Sequence, residues 1–330
     1  MAPGEVLAVS AEVATPTRDD HTPVSSDLVQ LRSPARTAPE VRLGALDQLW
    51  FQVAGTVCNL RCQHCFISCS PDNHSFWFMR RDQVETALAR SVALGVKEYY
   101  FTGGEPFMHP ELPCMLESSL ALGPTTVLTN GTLLPERRVA ELRRIAEASI
   151  YSLECRVSLD GFTPESNDAI RGEGSFRRCM DGVEHLVSAG FLPILTAMQS
   201  WPDSETPVVI ERFRELLRDV GYQRARIKIL PALKIGAEAT RTGGYKEYEI
   251  VTEEMMQGYD EAQLLCSSAR LVTAAGVYAC PILLDHPSAR LGNTLEEAAA
   301  VSARLAERAC YTCYRHGAIC SNMPVSGTGT

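Results

Sequence analysis

The stretch Cys58-Asn59-Leu60-Arg61-Cys62-Gln63-His64-Cys65 places three thiols within eight residues, shortly after the apolar run Leu49-Trp50-Phe51-Gln52-Val53-Ala54. Thiolates are soft ligands, suited to zinc or to iron and sulfur. A [4Fe-4S] cube normally takes four of them, so a three-cysteine loop either recruits a distant fourth ligand or leaves one iron open. An open iron is free to bind substrate or cofactor. Structural zinc uses cysteines at similar spacings, so the loop alone does not separate the two chemistries.

Such a loop must be aimed by a strand. From about residue 46 to 232, short β-branched or aromatic runs alternate with amphipathic helical stretches, the pattern of a parallel βα sheet. Strands are expected at Leu49–Ala54, Glu98–Phe101, Thr125–Leu128, Glu154–Ser158, Leu192–Ala197 and Arg226–Leu230. Helices are expected at about 80–94, 111–121, 135–148, 175–189 and 207–220. Six such units predict an α/β fold, a partial (β/α)6 barrel of the TIM type rather than a Rossmann sheet. No G-x-G-x-x-G or G-x-x-x-x-G-K-[ST] motif follows any of the strands. Residues 1–45, rich in Pro, Ala, Ser and Thr, read as a disordered tail, and residues 233–330 as a smaller carboxyl-terminal domain.

A formal net charge of -9 over 330 residues argues against a general nucleic-acid binder and for a soluble protein. The amino terminus lacks a basic region followed by an apolar one, and no stretch approaches the roughly 20 apolar residues of a membrane span. A cytoplasmic location, with no membrane partner, is the expectation. That compartment keeps thiols reduced, so the twelve cysteines are better read as metal ligands than as a disulfide framework. They cluster accordingly, with Cys69 close to the first three and Cys266, Cys280, Cys310, Cys313 and Cys320 forming a second group. Cys114, Cys155 and Cys179 stand alone, as packing thiols do.

In a barrel of parallel strands the working residues lie on the carboxyl-end loops. After the second strand comes Thr102-Gly103-Gly104-Glu105-Pro106, where two glycines allow close backbone approach to a ligand and Glu105 offers a carboxylate to an ammonium group. Thr129-Asn130-Gly131-Thr132 follows the third strand, and Ser158-Leu159-Asp160-Gly161 ends the fourth, with Arg171-Gly172 beyond it. Past the sixth strand the polar passage containing Glu238, Arg241 and Tyr245 offers substrate contacts, although solvated loop residues would look the same. Val272–Tyr278 reads as a hairpin around Ala275-Gly276, and a helix is expected over about 294–308. Together these bring the cysteines of the second group towards one point. Four thiolates there suit a zinc ion or an iron-sulfur cube equally.

The C-x3-C-x2-C spacing, with His64 before the last cysteine and Gly103-Gly104-Glu105-Pro106 one βα unit later, resembles the radical S-adenosylmethionine (SAM) superfamily. The carboxyl-terminal cysteines resemble the SPASM and shorter Twitch domains found in that superfamily. They depart from the pattern in that three residues, rather than four, separate Gly276 from Cys280. The resemblance implies a [4Fe-4S] cluster on Cys58, Cys62 and Cys65, with SAM chelating the open iron. Gly103, Gly104, Glu105, Asn130, Ser158 and Arg171 would contact SAM, and Asp160 would lie near the reaction chamber. One auxiliary [4Fe-4S] cluster is expected on Cys266, Cys280, Cys310 and Cys313, with Cys320 an alternative ligand or a free thiol.

In such enzymes one electron, from a reductant such as flavodoxin or ferredoxin, cleaves SAM to a 5'-deoxyadenosyl radical that removes hydrogen from substrate. Cys69, Cys179 and Cys320 are then the thiols to test as hydrogen donors. Without a leader-binding domain in the tail, a small polar substrate is expected: a sugar, aminocyclitol or nucleoside intermediate of natural-product synthesis, dehydrogenated, epimerised or otherwise rearranged. Maturation of a peptide or protein is the alternative, and a non-catalytic iron-sulfur carrier or scaffold is a further one.

Overall fold

A computed structural model describes residues 38–284 and 286–320. Its strands are β1 (Glu40–Val41), β2 (Gln48–Gln52), β3 (Glu98–Thr102), β4 (Thr125–Thr129), β5 (Leu153–Ser158), β6 (Ile194–Met198), β7 (Arg226–Leu230), β8 (Ala269–Thr273), β9 (Gly276–Tyr278), β10 (Arg290–Gly292) and β11 (Ala303–Arg304). The helices are α1 (Arg81–Ala93), α2 (Leu112–Leu120), α3 (Glu136–Glu147), α4 (Pro164–Arg171), α5 (Ser175–Ser188), α6 (Thr206–Asp219), α7 (Gly236–Thr242), α8 (Glu253–Met256), α9 (Leu295–Ala299) and α10 (Ala309–His316). No described helix is long and apolar enough to cross a membrane.

Strands β2 to β7 pair in parallel and in chain order, each joined to the next through helical crossovers. This is the expected α/β arrangement of a partial barrel. Its two faces follow from the period of two along each strand. On β5, Leu153, Cys155 and Val157 join the core beneath the helices, which leaves Glu154, Arg156 and Ser158 on the concave face. On β2, Leu49 and Phe51 face the helices while Trp50 enters a second core. The helices answer with apolar stripes; α1 buries Val84, Ala87, Leu88 and Ser91, at i, i+3, i+4 and i+7.

The second core joins Trp50 and Tyr100, stacked with centroids 4.1 Å apart, to Leu265, Leu271, Tyr278 and Ile282 of the carboxyl-terminal extension. That extension shares the barrel's sheet. Strand β8 pairs parallel to β2, and β9 and β10 follow antiparallel, giving the nine-strand order β10-β9-β8-β2-β3-β4-β5-β6-β7. The hairpin expected around Ala275-Gly276 is the β8–β9 turn. The helix expected over 294–308 ends at Ala299, because the buried Arg270 guanidinium binds the Ala298 and Val301 carbonyls at 3.1 Å each. Residues Ala303 and Arg304 then pair with Val41 and Glu40. The tail expected over 1–45 lies outside the described residues as far as residue 37, and β1 falls in its remainder.

Candidate active site

The cysteine loop leaves β2 at the carboxyl end of the sheet and is held by its neighbours' backbones. Val53 N donates to Thr102 O at 2.9 Å, Cys58 N to Ser70 O at 3.2 Å and Glu105 N to Val57 O at 3.1 Å. Contact with the β3 loop is close: a Cβ on Gly104 would lie 2.0 Å from Val57 O. The glycine pair thus serves first to let two loops touch. From the other side Ala237 N, at the start of α7, donates to Cys65 O at 3.0 Å. Cys58, Cys62, Cys65 and Cys69 all line one cavity of about 220 Å³, along with Gly103, Gly104, Asn130 and Ser158.

Burial pushes the Cys58 thiol up to about 12 and Cys62 to about 11. Cys65 differs. A hydrogen bond from the Cys69 thiol, aided by the Cys69 N–H at 3.2 Å, brings it down to about 6. Cys69 is raised in turn by the same bond, then by burial.

Behind the loop lies a buried ionic group. The carboxylate of Asp160 meets His64 Nε2 and Arg171 Nε, each at 2.5 Å, and its other oxygen accepts from Met198 N at 2.7 Å. Burial raises the Asp160 pKa, but Arg171 and then His64 outweigh it and hold the group below the carboxylate range. Arg171 is buried and lines the cavity, but its charge is already matched by Asp160. It comes from α4, started by the Thr163 cap with Pro164 in the first turn.

Glu105, Cys179, Glu238, Arg241 and Tyr245 do not line this cavity. Glu105 is fully buried: its oxygens accept from Thr129 Oγ1 and Asn130 N at 2.7 Å each and from Phe107 N at 3.1 Å. These bonds tie the β3 loop to the β4 loop. Cys179 is buried in the helix-side core and does not line the cavity. Glu238 is buried and bidentate to Arg241 at 2.7 Å, which spends both groups on each other away from the cavity. Tyr245 bonds Thr312 Oγ1 at 2.6 Å and lines a different, shallower cavity.

Of the second group, Cys266, Cys280, Cys310 and Cys313 line one small cavity of about 30 Å³. Cys320 instead lines the large one. Burial raises all five thiols, Cys266 and Cys320 to about 12. Uncharged thiols so buried suit a group that removes their protons on binding. Among the described residues no three such side chains converge to hold a single metal ion. That condition belongs to one ion; a four-iron cube seats each thiolate on its own iron. The three cysteines of the barrel loop share one cavity, and four of the extension share another.

The cavity-lining residues that escape the motif reading include Trp50, Arg156 and Thr196. The alternation along the strands would have found them, since each lies on the concave face.

Residues 53–206 match the model of the Radical SAM superfamily. GTP 3',8-cyclase 1 of Mycobacterium tuberculosis is 28% identical over 229 residues, covering 64% of this chain and 57% of that protein. The AdoMet-dependent heme synthase of Oleidesulfovibrio alaskensis is 30% identical over 135 residues, 40% of this chain and 33% of that protein. The chain thus spans 57% or less of these curated relatives. Among solved structures, native anSMEcpe with bound AdoMet and Cp18Cys peptide superposes with a TM-score of 0.55 at 18% identity, covering 77% of this chain and 80% of that one. Streptococcus suis SuiB bound to S-adenosylmethionine gives 0.56 at 15% identity, covering 75% and 63%. At these identities the likeness is one of fold.

Proposed function

We propose, on the match of residues 53–206 to the Radical SAM superfamily model, that the chain cleaves SAM reductively and abstracts hydrogen from a small polar substrate held in the barrel. A [4Fe-4S] cluster on Cys58, Cys62 and Cys65 would supply one electron to the SAM sulfonium and so release the 5'-deoxyadenosyl radical. The observation that carries the reading is the shared cavity: the three cysteines, the Gly103-Gly104 backbone, Asn130 and Ser158 all face it.

The chain's own residues divide the work. The amides and carbonyls of the β3 loop and Ser158 would receive SAM's polar groups. The Asn130 side chain donates to Asn59 Oδ1 at 2.8 Å and fixes the cysteine loop to the β4 loop. Asp160, through His64, orients the stretch between Cys62 and Cys65. Enclosure by Trp50, Leu230, Leu233 and Ile319 would keep water from the radical. Of the three thiols considered as hydrogen donors, Cys320 is the best placed: it lines the cavity, whereas Cys179 is in the core and Cys69 is bonded to Cys65. An auxiliary [4Fe-4S] cluster on Cys266, Cys280, Cys310 and Cys313 would accept or relay an electron.

A small substrate is preferred to a peptide because the curated relatives include enzymes named for GTP, a nucleotide. The outcome on carbon, oxidation or epimerisation, follows from whether Cys320 returns a hydrogen. Anaerobic reconstitution with reductant and SAM is the test. The wild-type protein should release 5'-deoxyadenosine and the triple Cys58, Cys62 and Cys65 to Ala variant none; a wild-type protein carrying iron that releases none with reductant and SAM refutes the proposal.

A further inference from the structure

The cavity floor carries polar atoms that the protein itself does not satisfy. Arg156 is 2% exposed; its Nη1 donates to the Cys320 carbonyl, while Nε has no partner. Trp50, 1% exposed, leaves its indole Nε1 unpartnered, and Thr196, 8% exposed, its Oγ1. All three side chains line the large cavity, and they come from three different strands, β5, β2 and β6. Buried polar groups in folded proteins are almost always hydrogen-bonded, so three orphans facing one cavity mark a place where a ligand supplies the acceptors. A guanidinium and an indole N–H are donors only, and a threonine hydroxyl donates as well as accepts. The nearby acids are already engaged, Glu154 with Arg226 at 2.7 Å and Asp160 with His64 and Arg171.

Resting on the small-substrate reading above, we propose that this floor binds an oxyanion of the substrate, a carboxylate or a phosphate, through Arg156, Trp50 and Thr196. The anion would anchor the far end of the substrate and leave its reacting carbon towards the cysteine loop at the cavity's mouth. It would also give Arg156 a counter-charge, which the carbonyl of Cys320 alone does not. The position of Cys320 gains a meaning from this, since the arginine that holds the anion also holds the backbone of that residue.

Calorimetric titration of the reconstituted, SAM-loaded protein with inorganic phosphate and, separately, succinate tests the proposal. One of the two should bind saturably, and which one distinguishes a phosphate from a carboxylate site. Arg156→Met should weaken that binding by more than about tenfold, with Arg156→Lys intermediate. Trp50→Phe keeps the ring stacked on Tyr100 but removes the N–H, and should weaken it several-fold. Should Arg156→Met fail to fold, Trp50→Phe with Thr196→Val decides the matter. An unchanged affinity in these variants, or no binding of either anion by wild type, overturns the proposal. Release of 5'-deoxyadenosine without anion binding sinks the subsite alone; anion binding without 5'-deoxyadenosine sinks the radical reading and leaves the subsite standing.

Discussion

Burial acts on two charged groups inside the barrel with different outcomes. Asp160 is buried against Arg171 and His64, each at 2.5 Å, so its charge is retained. Asp160→Asn would strand Arg171 in the interior, and loss of one partner of a buried pair costs roughly 3–5 kcal/mol. Urea unfolding should show that loss at pH 7. Lys228, on β7, has the reverse problem: burial, then repulsion from Arg156, lowers its pKa from 10.5 to about 8. Below pH 8 both states are protonated and the folded protein bears the net cost of burying the charge. Between pH 8 and about 10.4 the unfolded chain binds more protons, so stability from this group rises with pH. Lys228→Met should therefore stabilise the fold at pH 7, on the order of 1 kcal/mol after solvent screening, and the gain should shrink by pH 10. Melting curves of both proteins at the two pH values measure it.

At the scale of elements, the loops are held by contact as much as by hydrogen bonds. A Cβ at position 104 would fall 2.3 Å from the Val57 carbonyl carbon, backbone that cannot swing aside. Gly104→Ala should displace the cysteine loop from the β3 loop, lowering iron bound at the three-cysteine site while far-ultraviolet circular dichroism stays near wild type. The six strands and five long helices were legible in the sequence because each carries a clear period, two for β5 and 3.6 for α1. Helix α4 was not: Pro-Glu-Ser-Asn-Asp-Ala-Ile-Arg has no apolar stripe, and only its Thr163 cap announces it. The break at Ala299 was hidden for another reason. It is imposed by Arg270, 28 residues before Ala298, through a tertiary bond that no local pattern records. The cysteines were readable from spacing, whereas the burial of Glu105 and the pairing of Glu238 with Arg241 depend on neighbours brought in by the fold.

Across the whole molecule, the nine-stranded sheet couples the two cysteine groups. Strand β2 delivers Cys58, Cys62 and Cys65 at its carboxyl end, and its free edge is filled by β8, which rises from Cys266 and returns through β9 to Cys280. Arg270 reinforces this junction by donating to the Cys266 carbonyl at 2.7 Å. Removing the carboxyl-terminal group should thus be felt in the barrel as lost stability, though the SAM site keeps its own ligands. With two clusters the reconstituted protein would bind about eight irons, and Cys280→Ala about four. The variant should still release 5'-deoxyadenosine from SAM, melt at a lower temperature, and lose turnover of substrate if the second cluster relays an electron. Equal iron in wild type and Cys280→Ala would remove the auxiliary cluster and leave the four thiols as packing. One zinc with about four irons in wild type would assign the extension a structural ion instead.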